Sequence, residues 1–289
     1  MRIGVDSYTY HRLLGELRPG EEDPGERLAD GGAAVVSEGR ALGVDAVSLE
    51  TCYLGPPSRL DVAALRQAAA GLELALSWGA PEGLAFGTRP DAPDHLLDWV
   101  GIAAALGCRL MRVVAGGPRL RARADEWPAT VEPLRRAAER AREVGLDLAL
   151  ENHGDLTAAQ IGALLVAVDH QALGVCFDAA NAARVGDDPL AACRLLAPRI
   201  RMVHLKDVEP IETAADPIAG PRSVPYGEGI VPVEAVLSTL AAAGFDGLVC
   251  VEIAQLGPGV DERALAADCV RWLRARIGLH EAIGSGTRP

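Results

Sequence analysis

At 289 residues, 49% of them hydrophobic, the chain can bury a large core. A net charge of −12, from 28 basic and 40 acidic residues, repels phosphate backbones, so nucleic acid is not expected as a partner. No apolar run approaches the roughly 18 residues that span a bilayer, and the opening MRIGVDSYTY is strand-like, so a soluble cytoplasmic protein is expected.

The six cysteines are scattered with no CxxC pair, and they read as small buried hydrophobes in a reducing compartment. The densest basic stretch, RLRARAD at 119–125, reads as a solvated loop or helix start. Lys206 is the only lysine in a chain that otherwise uses arginine.

In chain order, short β-branched runs predict strands near 2–8, 44–50, 72–78, 108–115, 146–152, 173–178, 200–206 and 247–253. Between them RLADGGAAVVSEGRALG, HLLDWVGIAAALG and VEPLRRAAERAREVG have helical apolar spacing. Gly43, Gly107, Gly145 and Gly244 stand where helices should stop, because glycine enters the left-handed region cheaply. Eight β-then-α units predict a closed (β/α)8 barrel, a TIM barrel of α/β class and a single domain over 1–281, with a tail at 282–289. A doubly wound open sheet is the alternative, weakened by the lack of a GxGxxG turn and of a P-loop. Two insertions, 15–27 and 208–232, would sit on the C-terminal rim where such barrels build active sites, with a job such as a lid expected of loops this long and disorder as the alternative.

Polar residues close the later strands: Glu151-Asn152-His153, Asp178, His204-Leu205-Lys206 and Glu252. Alternation turns Glu151 with His153, and His204 with Lys206, to one face, while Leu150, Leu205, Val251 and Ile253 take the other. A lone acid among apolar strand residues is costly to bury unpaired, and a divalent cation removes that cost. Glu151, Asp178, His204 and Glu252 form a mostly hard-oxygen set suited to Mn²⁺, with Mg²⁺ or Co²⁺ as alternatives. Salt-bridged strand ends are the competing reading of each residue taken alone.

The motifs LALENHGD (148–155), GVCFDAANA (174–182), VHLKD (203–207) and VCVEI (249–253), with the GVDSY opening, resemble the xylose isomerase-like TIM-barrel superfamily of sugar phosphate isomerases and epimerases. The resemblance implies metal binding by Glu151, Asp178, His204 and Glu252, with the two glutamates also exchanging protons with sugar carbons. Asn181 stands where ketose epimerases carry a histidine, and Pro210 where they carry an arginine, which points away from ketose 3-epimerase activity. The ENH motif is similar to that of the catalytic subunits of C-glycoside deglycosidases, which implies His153 as a base.

The expected function is therefore a metal-dependent isomerase or epimerase that abstracts a proton beside a carbonyl of a sugar-like or polyol-derived substrate, through a metal-stabilised enediolate. The alternative is the catalytic subunit of a 3-oxo-glycoside C-deglycosidase, an eliminating lyase needing a small accessory subunit; a homo-oligomer is the other expected assembly. An endonuclease on this fold would need more histidines and a basic groove, and an inactive sugar-binding barrel would not need four ligands. Glu151, Glu252, His153 and Lys206 are the catalytic candidates. Tyr8, His11, Glu50, Trp78, Arg112, Asn181, Tyr226 and Glu228 are candidates to line the substrate pocket.

Overall fold

The computed structural model describes residues 1–79, 82–213 and 220–284. Its strands are β1 (Arg2–Asp6), β2 (Ala46–Glu50), β3 (Glu73–Trp78), β4 (Leu110–Val113), β5 (Asp147–Glu151), β6 (Leu173–Asp178), β7 (Ile200–Leu205), β8 (Asp207–Val208), β9 (Ser223–Val224) and β10 (Leu248–Val251). All but β8 and β9 are parallel and close in the order β1-β10-β7-β6-β5-β4-β3-β2, the eight-stranded barrel expected from the sequence. Around it lie α1 (Gly31–Leu42), α2 (Val62–Ala68), α3 (Ala92–Leu106), α4 (Val131–Glu143), α5 (Ala158–Val168), α6 (Ala179–Arg184), α7 (Pro189–Leu196), α8 (Val233–Ala242) and α9 (Glu262–Gly284).

The strands are shorter than their apolar runs. The first ends at Asp6, because its carboxylate accepts from the Tyr8 amide at 2.8 Å and turns 7–10 into a 3-10 coil. Helix ends follow local chemistry: α1 stops at Gly43 with φ 66°, and α5 starts on a Thr157–Gln160 capping box.

Period-two alternation divides every strand between two environments. Outward residues such as Val5, Leu49, Leu76, Trp78, Leu150, Phe177, Leu205 and Val251 pack on the helices. Inward, a small-residue plug of Ala46, Ala75, Leu110, Ala149, Cys176, Met202, Leu248 and Cys250 fills the barrel. Gly4 belongs to this tight layer, since a Cβ there would press on Cys250 Sγ at 2.8 Å. Two residues further along the same inward faces the side chains turn polar: Asp6, Ser48, Ser77, Arg112, Glu151, Asp178, His204 and Glu252, all buried. That layer is the floor of the candidate site.

The long connection after β7 is organised by Asp207, whose carboxylate accepts from the amides of Val208 (2.9 Å), Gly227 (2.8 Å), Gly229 (3.0 Å) and Val231 (3.0 Å). Gly229 is required there because a Cβ would collide with Asp207 Oδ1. The antiparallel pair β8–β9 closes the base of this excursion. The middle of the expected lid, 214–219, lies outside the described residues. At the C-terminus α9 runs on to Gly284, so 282–284 of the expected tail are helical, and 285–289 lie outside the described residues. No helix among the described residues is long and apolar enough to cross a membrane.

Candidate metal centre and substrate cavity

Glu151 ends β5, Asp178 ends β6, His204 lies in β7 and Glu252 follows β10, so four successive barrel strands deliver them to one point. Glu151, Asp178 and Glu252 each bring a carboxylate oxygen within 4.8 Å of the others. His204 Nδ1 lies 3.4 Å from Glu252 Oε1 and 3.7 Å from Glu151 Oε1. The lone lysine is placed among them: Lys206 Nζ is 2.6 Å from Asp178 Oδ2 and 2.5 Å from Glu252 Oε2.

Neighbours set the orientation of each group. Arg112 reaches from β4 between two strands, pairing with Glu50 of β2 and lying 2.8 Å from Glu151 through Nε. Asp178 accepts from the Asn181 amide at 2.9 Å, capping α6, which fixes its rotamer. Asn181 Nδ2 donates to both Asp178 Oδ2 (3.0 Å) and Glu151 Oε1 (3.2 Å). Asn152 ties β5 to β6 by exchanging hydrogen bonds with the Asp178 backbone at 2.7 and 2.9 Å. On the same layer, Ser48, Ser77 and Asp6 form a hydroxyl-to-carboxylate chain at 2.8 and 3.1 Å.

Burial and charge pull the titrations apart. Burial alone would raise Glu151 and Glu252. Arg112 with the imidazoles of His153 and His204 holds Glu151 below the usual carboxylate range, and Lys206 with His204 does the same for Glu252. Burial pushes Asp178 up to about 6 despite Lys206, and Glu50 up to about 8 despite Arg112. Burial lowers His153 to about 4, so its ring is neutral at physiological pH.

The donor set fits a divalent cation on two observations. Five buried carboxyl groups (Asp6, Glu50, Glu151, Asp178, Glu252), of which burial keeps only Glu50 protonated up to about pH 8, meet two permanent side-chain cations, Arg112 and Lys206. Both ring nitrogens of His204, fully buried, have no hydrogen-bond partner among the described residues. A hard cation held by Glu151, Asp178, His204 and Glu252 would answer both.

Above this floor lies a cavity of about 280 Å³. Of the expected residues it is lined by Tyr8, Glu50, Arg112, His153, Asn181, Lys206 and Glu252. Glu151, Asp178 and His204 sit under it, fully buried. Four others are placed elsewhere. His11 is turned to Glu21 at 2.9 Å and stacks behind Tyr8. Trp78 points outward and donates to His95 at 3.1 Å. Tyr226 is buried against Trp272 with its hydroxyl on the Leu205 carbonyl at 2.7 Å, and Glu228 is exposed at the turn.

The cavity also recruits Glu16 and Arg18 from the 15–27 insertion, Cys52, Glu82 and Arg184, which the sequence did not single out, and Arg119, the first residue of the RLRARAD stretch read there as solvated. Glu16 accepts from Tyr53 at 2.7 Å and pairs with Arg18 at 2.8 Å, so the Gly/Pro/acidic insertion is a wall of the site. Glu82 is held with φ at 69°, a left-handed conformation unusual outside glycine.

A family model described as the xylose isomerase-like TIM barrel matches residues 36–276. The chain belongs to that family. Within reach of this xylose isomerase-like chain, inosose dehydratase of Lacticaseibacillus casei is 29% identical over 170 residues, 55% of this chain and 57% of that one. The chain thus spans a little over half the length of that relative. A 3-oxo-isoapionate decarboxylase of Pectobacterium atrosepticum is 27% identical over 210 residues, covering 72% of this chain and 69% of the relative. Among solved structures, a D-psicose 3-epimerase of Clostridium cellulolyticum superposes with a TM-score of 0.72 at 20% identity, over 96% of this chain and 99% of that one, a likeness of fold.

Proposed function

We propose that this protein is a divalent-metal-dependent enzyme that removes a proton beside a carbonyl of a sugar- or polyol-derived substrate. The observation that carries the reading is the convergence of Glu151, Asp178, His204 and Glu252 under a polar cavity that His153, Lys206 and Glu50 also line. When bound, a divalent cation, Mn²⁺ before Mg²⁺ or Co²⁺, would supply Lewis-acid stabilisation of the negative charge left by deprotonation.

The chain's own residues do the rest. His153 is neutral, lines the cavity and has no hydrogen-bond partner at Nδ1 among the described residues, so it can accept a proton there. Lys206, charged between Asp178 and Glu252, holds both carboxylates in place and offers a donor to a substrate oxygen. Glu50, protonated below about pH 8, stands on β2, three strands round the barrel from β5, and can return a proton or assist a departing hydroxyl. Tyr8 and Asn181 bound the space in which a polyhydroxylated ligand would hydrogen-bond.

One constellation serves isomerisation, epimerisation and elimination, according to where the proton goes back and whether a β-substituent leaves. Two relatives in sequence are named a dehydratase and a decarboxylase, and Asn181 replaces the histidine of ketose epimerases; both favour a lyase over a plain epimerase. A 3-oxo-glycoside C-deglycosidase is the second reading, favoured by His153 in the cavity; a small chain co-purifying with this one would support it.

The test is a metal-supplemented NMR screen for solvent deuterium entering ketoses, inososes and 3-oxo-glucosides. The expected result is exchange in one class, abolished by chelation, restored by Mn²⁺ and lost in His153→Ala with metal retained. Full turnover of the chelated protein would sink the reading, as would the absence of exchange across the panel.

A further inference from the structure

β6 points two donors into the barrel: Asp178 at the mouth and Cys176 one layer deeper. Strand register makes Cys176 the direct neighbour of Glu151 on β5. Its Sγ, a Glu151 carboxylate oxygen and a His204 ring nitrogen lie within 4.8 Å of one another, and all three side chains are sealed from solvent. A buried cysteine alone is ordinarily a small hydrophobe. The imidazole is the second sign: neither nitrogen of fully buried His204 meets hydrogen-bond geometry with a described residue, its nearest carboxylate oxygens standing 3.4 to 3.7 Å away. The cage thus holds two overlapping triads along the barrel axis. The upper one, Glu151, Asp178 and Glu252, is all oxygen; the lower one offers oxygen, sulfur and nitrogen.

We infer that Glu151, Cys176 and His204 form a second, deeper cation position that takes thiophilic ions such as Co²⁺, Zn²⁺ or Cd²⁺. It rests on the proposed metal centre, whose Glu151 and His204 it shares. A soft thiolate with an imidazole selects these ions, whereas the carboxylates above select Mn²⁺ or Mg²⁺. On binding, the thiol S–H bond breaks, its proton passes to solvent and a sulfur–metal bond forms, with no change of oxidation state. Because Glu151 and His204 serve both positions, the two cannot be filled independently. A thiophilic ion below competes with Mn²⁺ above.

The test loads the full-length, metal-stripped protein with Co²⁺. The expected result is a near-ultraviolet thiolate-to-cobalt charge-transfer band that saturates at one equivalent. Cys176→Ser and Cys176→Ala should lose the band, while Cys52→Ser and Cys250→Ser keep it. In Cys176→Ser the affinity for Cd²⁺ should fall at least about tenfold, with Mn²⁺ affinity unchanged. If the Cys176 variants fail to fold, cadmium NMR of the wild type decides, through the strong downfield shift that a thiolate ligand produces. Cobalt bound without a sulfur band, or a band that survives Cys176→Ser, overturns this inference and leaves the metal centre standing. Failure to bind cobalt or any other divalent ion overturns both.

Discussion

Replacing Lys206 with methionine separates charge from packing, because the apolar stem keeps its length while the ammonium is lost. In the wild type Lys206 is 6% exposed and its ammonium touches Asp178 and Glu252 at 2.6 and 2.5 Å. Removing one partner of a buried ion pair costs about 3–5 kcal/mol, because the remaining charge is left without compensation. Here two carboxylates lose their shared cation, so the upper part of that range applies in the presence of a chelator. At about 2–4 °C per kcal/mol for domains of comparable size, melting should fall by about 10–20 °C. Saturating Mn²⁺ should then recover most of the loss, since a cation among Glu151, Asp178 and Glu252 answers the same charges. Thermal melts of both proteins, with chelator and with Mn²⁺, read this directly. A Lys206→Met protein that melts with the wild type in chelator would show that the ammonium does not compensate those carboxylates. One that is destabilised but unmoved by Mn²⁺ would show that they do not form a cation site.

Two other variants probe the surroundings. Burial raises Asp155 from 3.8 to about 6 in the folded state, so it folds at no penalty below about pH 4 and loses stability as pH rises towards 6. Asp155→Asn should therefore be more stable than wild type by up to about 3 kcal/mol above pH 6, the gap closing near pH 4 in denaturant titrations; a gap that widens on acidification refutes this. Asp207→Ala strips the acceptor from four backbone amides, and should cost about 3–5 kcal/mol and open the 208–232 connection to limited proteolysis. Unchanged cleavage there would mean that Asp207 does not organise the loop.

The barrel and the convergence of the four candidate ligands were legible because both are written in period two. An acid or histidine alternating with Leu or Val at a strand end marks an inward polar position, and four such positions on successive strands converge by the geometry of closure. The same rule, applied one residue at a time, places Ser77 inward and Trp78 outward, which is where the structure has them. Loop residues have no such period. Glu16 and Arg18 look in sequence like solvated charge, and their place in the cavity wall depends on how 15–27 folds back over Tyr8 and Tyr53. Glu82 and Arg119 likewise reach the site from βα loops, and Asp207 was hidden because its partners are backbone amides, which no side-chain pattern reports. His11 and Tyr226 have the right chemistry for a sugar pocket, but Glu21 and the Leu205 carbonyl claim their polar atoms first.

Calorimetric titration of the metal-stripped protein with Mn²⁺ reads out directly whether Glu151, Asp178, His204 and Glu252 hold a divalent cation. The wild type should take up one ion per chain, and a protein carrying both Asp178→Asn and Glu252→Gln none. A wild type that takes up no divalent ion, or a double variant that binds as the wild type does, would contradict it.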